Sequence, residues 1–214
     1  MDITAELARW SQALVGIGQT GLNYANTPYD VERYEELLKL ASEMTATINA
    51  NATLDTKLAA QLALSWKKQA TSGGGYVTPN VSVGAIVFNK DDELLLVRNA
   101  DEGYWVFPVG NADVGYTAAE VAQKEVKEEA GLNVTPLALM AVNDSFRQGF
   151  NLHTHIYNLL FYCRLDGGIL GPQTVEISQA QFFARDQLPF AREPDWVSRV
   201  FAWHDGRSRQ PYFD

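Results

Sequence analysis

Cysteine and positive charge are both scarce in this sequence of 214 residues. Cys163 is the only cysteine, which excludes an internal disulfide, and its neighbours Phe161 and Tyr162 indicate a packing residue rather than a nucleophile. Lysine and arginine number 17 against 26 acidic residues, which gives a formal net charge of -9 and a pI near 4.8. Because such a surface repels polyanions, the composition argues against general attraction to nucleic acid or to anionic membrane.

Long apolar runs are also missing. The longest, such as LLFYC at residues 159–163, are far too short to span a bilayer, and the first residues, MDITAELARW, lack the basic stretch and apolar core of a signal peptide. We therefore expect a cytoplasmic protein. With 46% hydrophobic residues the chain has ample material for a packed core, and its length suits one large or two small domains.

Residues 1–70 predict a small all-helical domain. In the first helix, apolar side chains recur every three or four residues, as on one helix face: Ile3, Leu7, Trp10, Leu14 and Ile17. Asp30 is the expected N-cap of a second helix, and a third is expected from Leu54 to Gln69 with Thr53 or Asp55 as its cap. Because three short helices bury little surface alone, we expect this unit to dock on the second domain or on another subunit.

The run TSGGGYVTP, residues 71–79, breaks this periodicity and predicts a linker, and residues 80–214 then turn to strands. An expected hairpin joins VSVGAIVF to ELLLVRN, and further strands are expected at WVFPV, LNVTPLALMAVND, HIYNLLFYCRL and QAQFF, with a turn at Gly167 and Gly168. A last helix is expected from Pro194 to Trp203. Strands enclosing one or two helices predict a mixed sheet covered on its faces, an α/β/α sandwich.

The most informative segment is GNADVGYTAAEVAQKEVKEEAGL, in which a glycine loop leads into an acidic helix. Glu125, Glu128 and Glu129 share one side of that helix and repel one another unless a cation lies among them. Carboxylate oxygens suit Mg²⁺ or Mn²⁺. A solvated amphipathic helix would show a similar charge run, but the strand and turn before it and a C-cap glycine, Gly131, after it favour a metal site.

This segment resembles the Nudix box: a glycine, five free positions, Glu, seven free positions, Arg-Glu, an aliphatic residue, one free position, Glu-Glu, one free position, Gly and an aliphatic residue. Seven residues match in register: Gly110, Glu125, Val126, Glu128, Glu129, Gly131 and Leu132. Tyr116 stands where the family has Glu, and Lys124 where it has Arg. With the helical N-terminal pattern and the later run VEISQAQFFARDQLPF, the resemblance covers nearly the whole chain and is to the subfamily of hydrolases of X-linked nucleoside diphosphates.

The resemblance implies the Nudix α/β/α sandwich, cleavage of the pyrophosphate of compounds such as ADP-ribose or CDP-choline, Mg²⁺ or Mn²⁺ as cofactor, and a homodimer that uses the helical unit. It implies metal ligands on the helix, with Glu125 and Glu129 as the first choice and Glu128 beside them. It also implies a main-chain ligand, the carbonyl of Val109, where a second glycine is usual. Glu176 best matches a further acid that binds metal or activates water in many members.

Two residues depart from the family pattern at an ion pair that joins the loop to the helix. In that pattern the earlier glutamate binds the arginine and so braces the loop against the helix. Lys124 keeps the charge but lacks the planar fork of a guanidinium, and Tyr116 removes the carboxylate partner. We expect reduced rigidity rather than lost metal binding, because neither residue is an expected ligand.

The sequence indicates less clearly which residues contact the substrate. Tyr104 and Trp105 are candidates to stack on a base or ribose, although aromatic residues entering a strand are more often core, and Arg98 is a candidate phosphate contact. His153 and His155 share a strand face but have no third zinc-type ligand nearby in sequence, so they are not assigned to a metal.

An alternative function is a Nudix domain that has lost catalysis and senses a nucleotide, which Tyr116 and Val109 leave open. The acidic N-terminal residues argue against a sensor that binds DNA. A scaffolding dimer is supported only by the helical N-terminal unit.

Overall fold

The computed structural model describes residues 3–50, 53–73, 78–145, 147, 154–172, 174–190 and 195–214. The chain divides into two compact units, one formed by residues 1–80 and 144–156 and the other by residues 81–143 and 157–214. Within these described stretches, none of the helices has the length and apolar character needed to cross a bilayer.

Three helices dominate the first unit. They are α1 (Ile3–Tyr24), α2 (Pro28–Asn49) and α3 (Thr56–Gly73). The buried face of α1 differs from the expected one, because Ala8, Ser11, Val15 and Gln19 are buried. Three residues of the expected stripe, Ile3, Trp10 and Ile17, are instead 64, 46 and 57% exposed.

Small and hydrogen-bonded side chains explain why α1 turns this face inward. The Ser11 hydroxyl donates to the carbonyl of Ala41 at 2.8 Å, and the Gln19 amide donates to the carbonyl of Trp66 at 2.9 Å. A polar side chain whose hydrogen bonds are satisfied is buried at little cost, so α2 and α3 pack closely on this face. Periodicity alone could not distinguish this face from the apolar one.

The N-caps of α2 and α3 differ in how they compare with the expected residues. Thr27, rather than Asp30, caps α2: its side chain accepts the N–H of Asp30, and the proline that follows takes the first helical position. Asp55 caps α3, because its carboxylate accepts two main-chain N–H groups of the first turn at 3.0 Å. This helix continues to Gly73, and residues 74–77 of the expected linker lie outside the described residues.

The second unit is built on a mixed sheet. Its strands are β1 (Asn80–Phe88), β2 (Leu94–Asn99), β3 (Trp105–Val106), β4 (Val109–Asn111), β5 (Leu132–Asp144), β6 (Ile156–Gly168), β7 (Ile177–Phe183) and β8 (Tyr212–Phe213). Among the described residues the order is β3-β2-β1-β6-β5-β8, with β4 paired to β1 and β7 to β2. The expected hairpin is confirmed, since β1 and β2 are antiparallel, whereas β5 and β8 are parallel.

Three details differ from the expected strands. The run WVFPV is split into β3 and β4 around Pro108, which has no N–H to donate to a ladder. Gly167 and Gly168 end β6 instead of forming the turn. The short strand β8 carries no pattern of its own and was not expected.

Helices cover both faces of the sheet, which confirms the α/β/α expectation. Helix α4 (Ala118–Ala130) packs on one face, against residues such as Val83, Leu95 and Cys163. Helix α5 (Asp195–His204) packs on the other, against residues such as Ile86 and Leu96. Alternate strand residues supply the two cores, as strand geometry requires. Burial raises the pKa of Cys163 to about 12, so this thiol is a packing residue, as expected.

Candidate active site

Both ends of the acidic helix α4 are fixed by local contacts. At its start, the Thr117 hydroxyl accepts the N–H of Glu120 while the Glu120 carboxylate accepts the N–H of Thr117, a capping box. At its end, Gly131 takes a left-handed conformation with φ of 73° and donates its N–H to the carbonyl of Lys127. These caps and the buried apolar face of α4 set which side chains meet the preceding loop.

Glu125 lies directly against the glycine of that loop. Its residue is 8% exposed, and a Cβ added at Gly110 would overlap the Glu125 carboxyl group. Gly110 is also paired with Val83 in the ladder between β4 and β1, so the loop has little room to move away. A side chain at residue 110 would therefore displace the Glu125 carboxyl group from its present position.

Glu129 is the most perturbed carboxyl of the site. It is 9% exposed, and its Oε2 accepts the main-chain N–H of Val109 at 3.0 Å. Burial raises its pKa to about 8; the hydrogen bond from Val109 opposes this, while the charges of Glu125, Glu176 and Glu128 add to it. A cation bound at this position would relieve both the burial of charge and the repulsion.

Lys124 links the helix to the loop. Its Nζ lies 3.0 Å from Oε2 of Glu128, 3.1 Å from Oδ2 of Asp113 and 3.9 Å from Oε1 of Glu125. The hydrogen bonds to Glu128 and Asp113 raise the pKa of Lys124. The expectation that Lys124 has lost its loop carboxylate is wrong, because Asp113 supplies one in place of residue 116.

Asp113 was not among the site residues predicted from the sequence. Its position in the loop before α4 was a weak signal, because an acid in that loop can pair with a lysine on the helix.

Glu176 and Tyr104 lie near the same carboxylates. Glu176 is exposed immediately before β7, and its charge raises the pKa of both Glu125 and Glu129. Tyr104 is half-exposed, and its pKa is raised by burial and then by the charges of Glu102 and Glu129. The structure thus brings the expected additional acid and one expected aromatic residue within electrostatic reach of Glu129.

The other candidate substrate contacts have different surroundings. Trp105 packs in the core beneath α5, edge-on to Phe183 with ring centroids 4.9 Å apart. Arg98 is exposed on β2, and its Nε donates to the carbonyl of Gly103 at 3.1 Å. His155 contacts Asp144 at 3.2 Å, and His153 lies outside the described residues.

The donor set suits a cation that is only partly coordinated by protein. In the part of the chain that the structure describes, no three acidic, histidine or cysteine side chains form a ready metal cage. Glu128 is drawn to Lys124, and one Glu129 oxygen holds the Val109 N–H. Mg²⁺ commonly keeps several waters and binds through one or two carboxylates together with substrate phosphates. The buried carboxylates of Glu125 and Glu129 fit that requirement.

A mixed sheet between helices, with a glycine loop against buried helix carboxylates, defines a hydrolase of the Nudix class. Residues 78–204 match the model of the NUDIX domain, and residues 5–55 match that of the UDP-X-like, N-terminal oligomerisation domain. YjhB of Bacillus subtilis strain 168, named as a candidate ADP-ribose pyrophosphatase, is 34% identical over 209 residues, which is 95% of each chain. The chain therefore belongs to the Nudix family.

Solved structures agree with this assignment. A UDP-X diphosphatase of known crystal structure aligns over 99% of both chains, with 30% identity and a TM-score of 0.57. An ADP-ribose pyrophosphatase from Streptococcus suis 89-1591 aligns over 64% of this chain and 100% of its own, with 31% identity and a TM-score of 0.53. The first of these similarities includes the helical N-terminal part of the chain.

Proposed function

We propose that this Nudix hydrolase cleaves the pyrophosphate bond of a nucleoside diphosphate linked to a group X, of the ADP-ribose, CDP-choline or UDP-X type. The products are a nucleoside monophosphate and X-phosphate, and the cofactor is Mg²⁺ or Mn²⁺. The observation that carries the proposal is the burial of Glu125 and Glu129 against the glycine loop, which concentrates carboxylate oxygens where a phosphate-bound cation is needed. Two relatives that align over nearly the whole chain support the substrate class: one is named as a candidate ADP-ribose pyrophosphatase and the other as a UDP-X diphosphatase.

The chemistry explains why these residues are needed. Water approaches a pyrophosphate through a shell of negative oxygens, so catalysis depends on neutralising charge and on positioning. A bound divalent ion supplies positive charge to the phosphate oxygens and lowers the pKa of water. Glu125, Glu129 and the Val109 carbonyl would hold it, with Glu128 beside them, and the Val109 N–H holds one Glu129 oxygen in place.

Two further roles belong to this proposal. Glu176, exposed and within electrostatic reach of Glu125 and Glu129, would orient the attacking water and accept its proton. Tyr104, half-exposed beside Glu129, would stack on the base or ribose of the substrate. Arg98 is a weaker candidate for a phosphate contact because its Nε is already bonded to Gly103, and Trp105 is better explained as core.

We also propose that α1 contacts a second copy of the chain. Four large apolar residues lie seven positions apart, and therefore on one side of the helix: Ile3, Trp10, Ile17 and Tyr24, which are 64, 46, 57 and 59% exposed. The match of residues 5–55 to an oligomerisation domain supports a second copy as the partner. The chain would then consist of an oligomerisation domain, residues 1–70, a linker, residues 71–79, and a catalytic domain, residues 80–214.

The cytoplasmic location expected from the sequence is also part of the proposal. Fractionation of cells with an antibody against the chain tests it.

Product analysis tests the activity. The protein is incubated with Mg²⁺ or Mn²⁺ and a panel containing ADP-ribose, CDP-choline, UDP-glucose and NADH, and the nucleoside monophosphate is measured. We expect product from at least one compound, no product with Glu129→Gln, and equal or higher turnover with Tyr116→Glu. Glu36→Gln, which changes an exposed acid of α2, is the matched control.

The outcomes separate the functional classes. An active Glu129→Gln enzyme would overturn the assignment of the site. Tight binding of a nucleotide without release of any monophosphate would favour the nucleotide sensor. If the protein neither binds nor hydrolyses any compound of the panel, the scaffolding dimer would be favoured.

A further inference from the structure

The loop that precedes α4 carries an acid in direct contact with the cation of that helix. Asp113 lies between β4 and α4, and its Oδ2 is 3.1 Å from Nζ of Lys124. The Asp113 carbonyl also accepts the N–H of Tyr116 at 3.3 Å, which closes a turn inside the loop. The carboxylate is thus presented toward α4 by the local backbone.

Tyr116 does not share this role. The residue is 56% exposed, and its main-chain N–H, rather than its phenol, donates to the Asp113 carbonyl. The position where the Nudix pattern has an acid therefore offers no carboxylate to Lys124, and the acid three residues earlier does.

The position of the ammonium group affects the expected metal ligands. Lys124 already lies 3.9 Å from Oε1 of Glu125, so it competes for the same carboxylate that a divalent ion would use. Asp113 and Glu128, at 3.1 and 3.0 Å, are closer to the ammonium than Glu125 is. Without Asp113, Lys124 loses one of its two close ion pairs. Only Glu128 then opposes the attraction between Lys124 and Glu125.

Resting on the hydrolase function proposed above, we propose that Asp113 is a positioning residue that holds Lys124 away from Glu125 and keeps the glycine loop against α4. Glu125 is then free to face a cation, and the loop stays in contact with the helix where Gly110 meets Glu125. Asp113 replaces, from another loop position, the carboxylate that Tyr116 lacks.

The exposure of the pair makes this role testable without unfolding the protein. The Lys124 and Asp113 side chains are 31 and 49% exposed. Ion pairs with this much solvent contribute little to global stability, so Asp113→Asn should shift the Tm by at most about 4 °C. A change in metal binding would therefore report on the site rather than on the fold.

The experiment measures the dissociation constant of Mn²⁺ by calorimetry, together with kcat and KM on the best substrate of the panel. Asp113→Asn should weaken Mn²⁺ binding by about tenfold, the effect typical of residues that support metal ligands, and Asp113→Glu should restore it to within about threefold. In a Lys124→Gln background, Asp113→Asn should have no further effect, because Asp113 acts through Lys124. Asp91→Asn, which removes a similar exposed pair with Lys90 at 2.9 Å, should leave Mn²⁺ binding unchanged.

Each outcome distinguishes this role from the function it rests on. If the wild-type protein binds Mn²⁺ and Asp113→Asn binds it equally well, Asp113 is not a positioning residue and the proposed function stands. If the loss persists in the Lys124→Gln background, Asp113 acts through its own charge and the brace is refuted. If the wild-type protein neither binds Mn²⁺ nor hydrolyses any substrate, the proposed function fails and this role with it.

Discussion

The raised pKa of Glu129 predicts an unusual dependence of stability on pH. Burial raises this pKa from its ordinary value of 4.5 to about 8. Between these values the folded protein keeps a proton that the unfolded chain has released, so the free energy of unfolding falls as the pH rises. The slope is about 1.4 kcal/mol per pH unit in this window, and the total of several kcal/mol is an upper limit because structural relaxation reduces it.

Thermal unfolding of metal-free protein between pH 5 and pH 8.5 measures this effect. Glutamine at residue 129 has nearly the same shape as glutamate and does not titrate. As the pH rises, the Tm of Glu129→Gln should therefore fall less than that of the wild-type protein. The pKa of Glu125 is also raised by burial, but Glu125 is present in both proteins, so the comparison mainly reports Glu129. Glu36→Gln should follow the wild-type curve.

Adding Mn²⁺ extends the test. A cation bound at the proposed site would replace the proton on Glu129, so Mn²⁺ should stabilise the wild-type protein increasingly as the pH approaches 8 and should affect Glu129→Gln far less. The apparent affinity for Mn²⁺ should rise about tenfold per pH unit between pH 6 and pH 7 and level off above pH 8, as for a single displaced proton. Parallel pH curves for the two proteins, with and without Mn²⁺, would refute the reasoning.

Three other predictions concern single residues. Gly110→Ala should lower turnover by about a hundredfold, because the added methyl group displaces the Glu125 carboxyl; circular dichroism checks that the fold persists, and normal turnover would contradict the contact. Glu176→Gln should lower kcat by about a hundredfold or more with an unchanged Tm, and a wild-type kcat would exclude Glu176 as the base. Trp10→Glu should shift the molecular mass by light scattering toward the monomer, whereas Leu64→Glu, at another exposed apolar position, should not.

The strand and helix pattern was predictable where local signals were strong. The strand expected at LNVTPLALMAVND is β5, Leu132–Asp144, and α4 ends at the glycine expected to cap it. Alternation along a strand and the left-handed glycine at a helix end depend on neighbouring residues alone, so they can be read from the sequence.

The predictions failed where two segments distant in sequence decide the outcome. The apolar stripe of α1 has the period of a buried face, yet Trp10 and Ile17 are exposed and Ser11 and Gln19 are buried. A helix period does not say which face meets which neighbour. The Thr27 cap was missed for a local reason, because Thr27 and Asp30 are both good capping residues and the proline between them decides.

The sequence by itself determined the chemistry that α4 carries. Glu125, Glu128 and Glu129 share one side of the helix because the helical repeat follows from backbone geometry. Only the tertiary structure decided which groups meet these carboxylates: Gly110 against Glu125, the Val109 N–H on Glu129, and Asp113 rather than residue 116 on Lys124. These contacts join separate segments through a loop, and a loop conformation is selected by packing that no local pattern encodes.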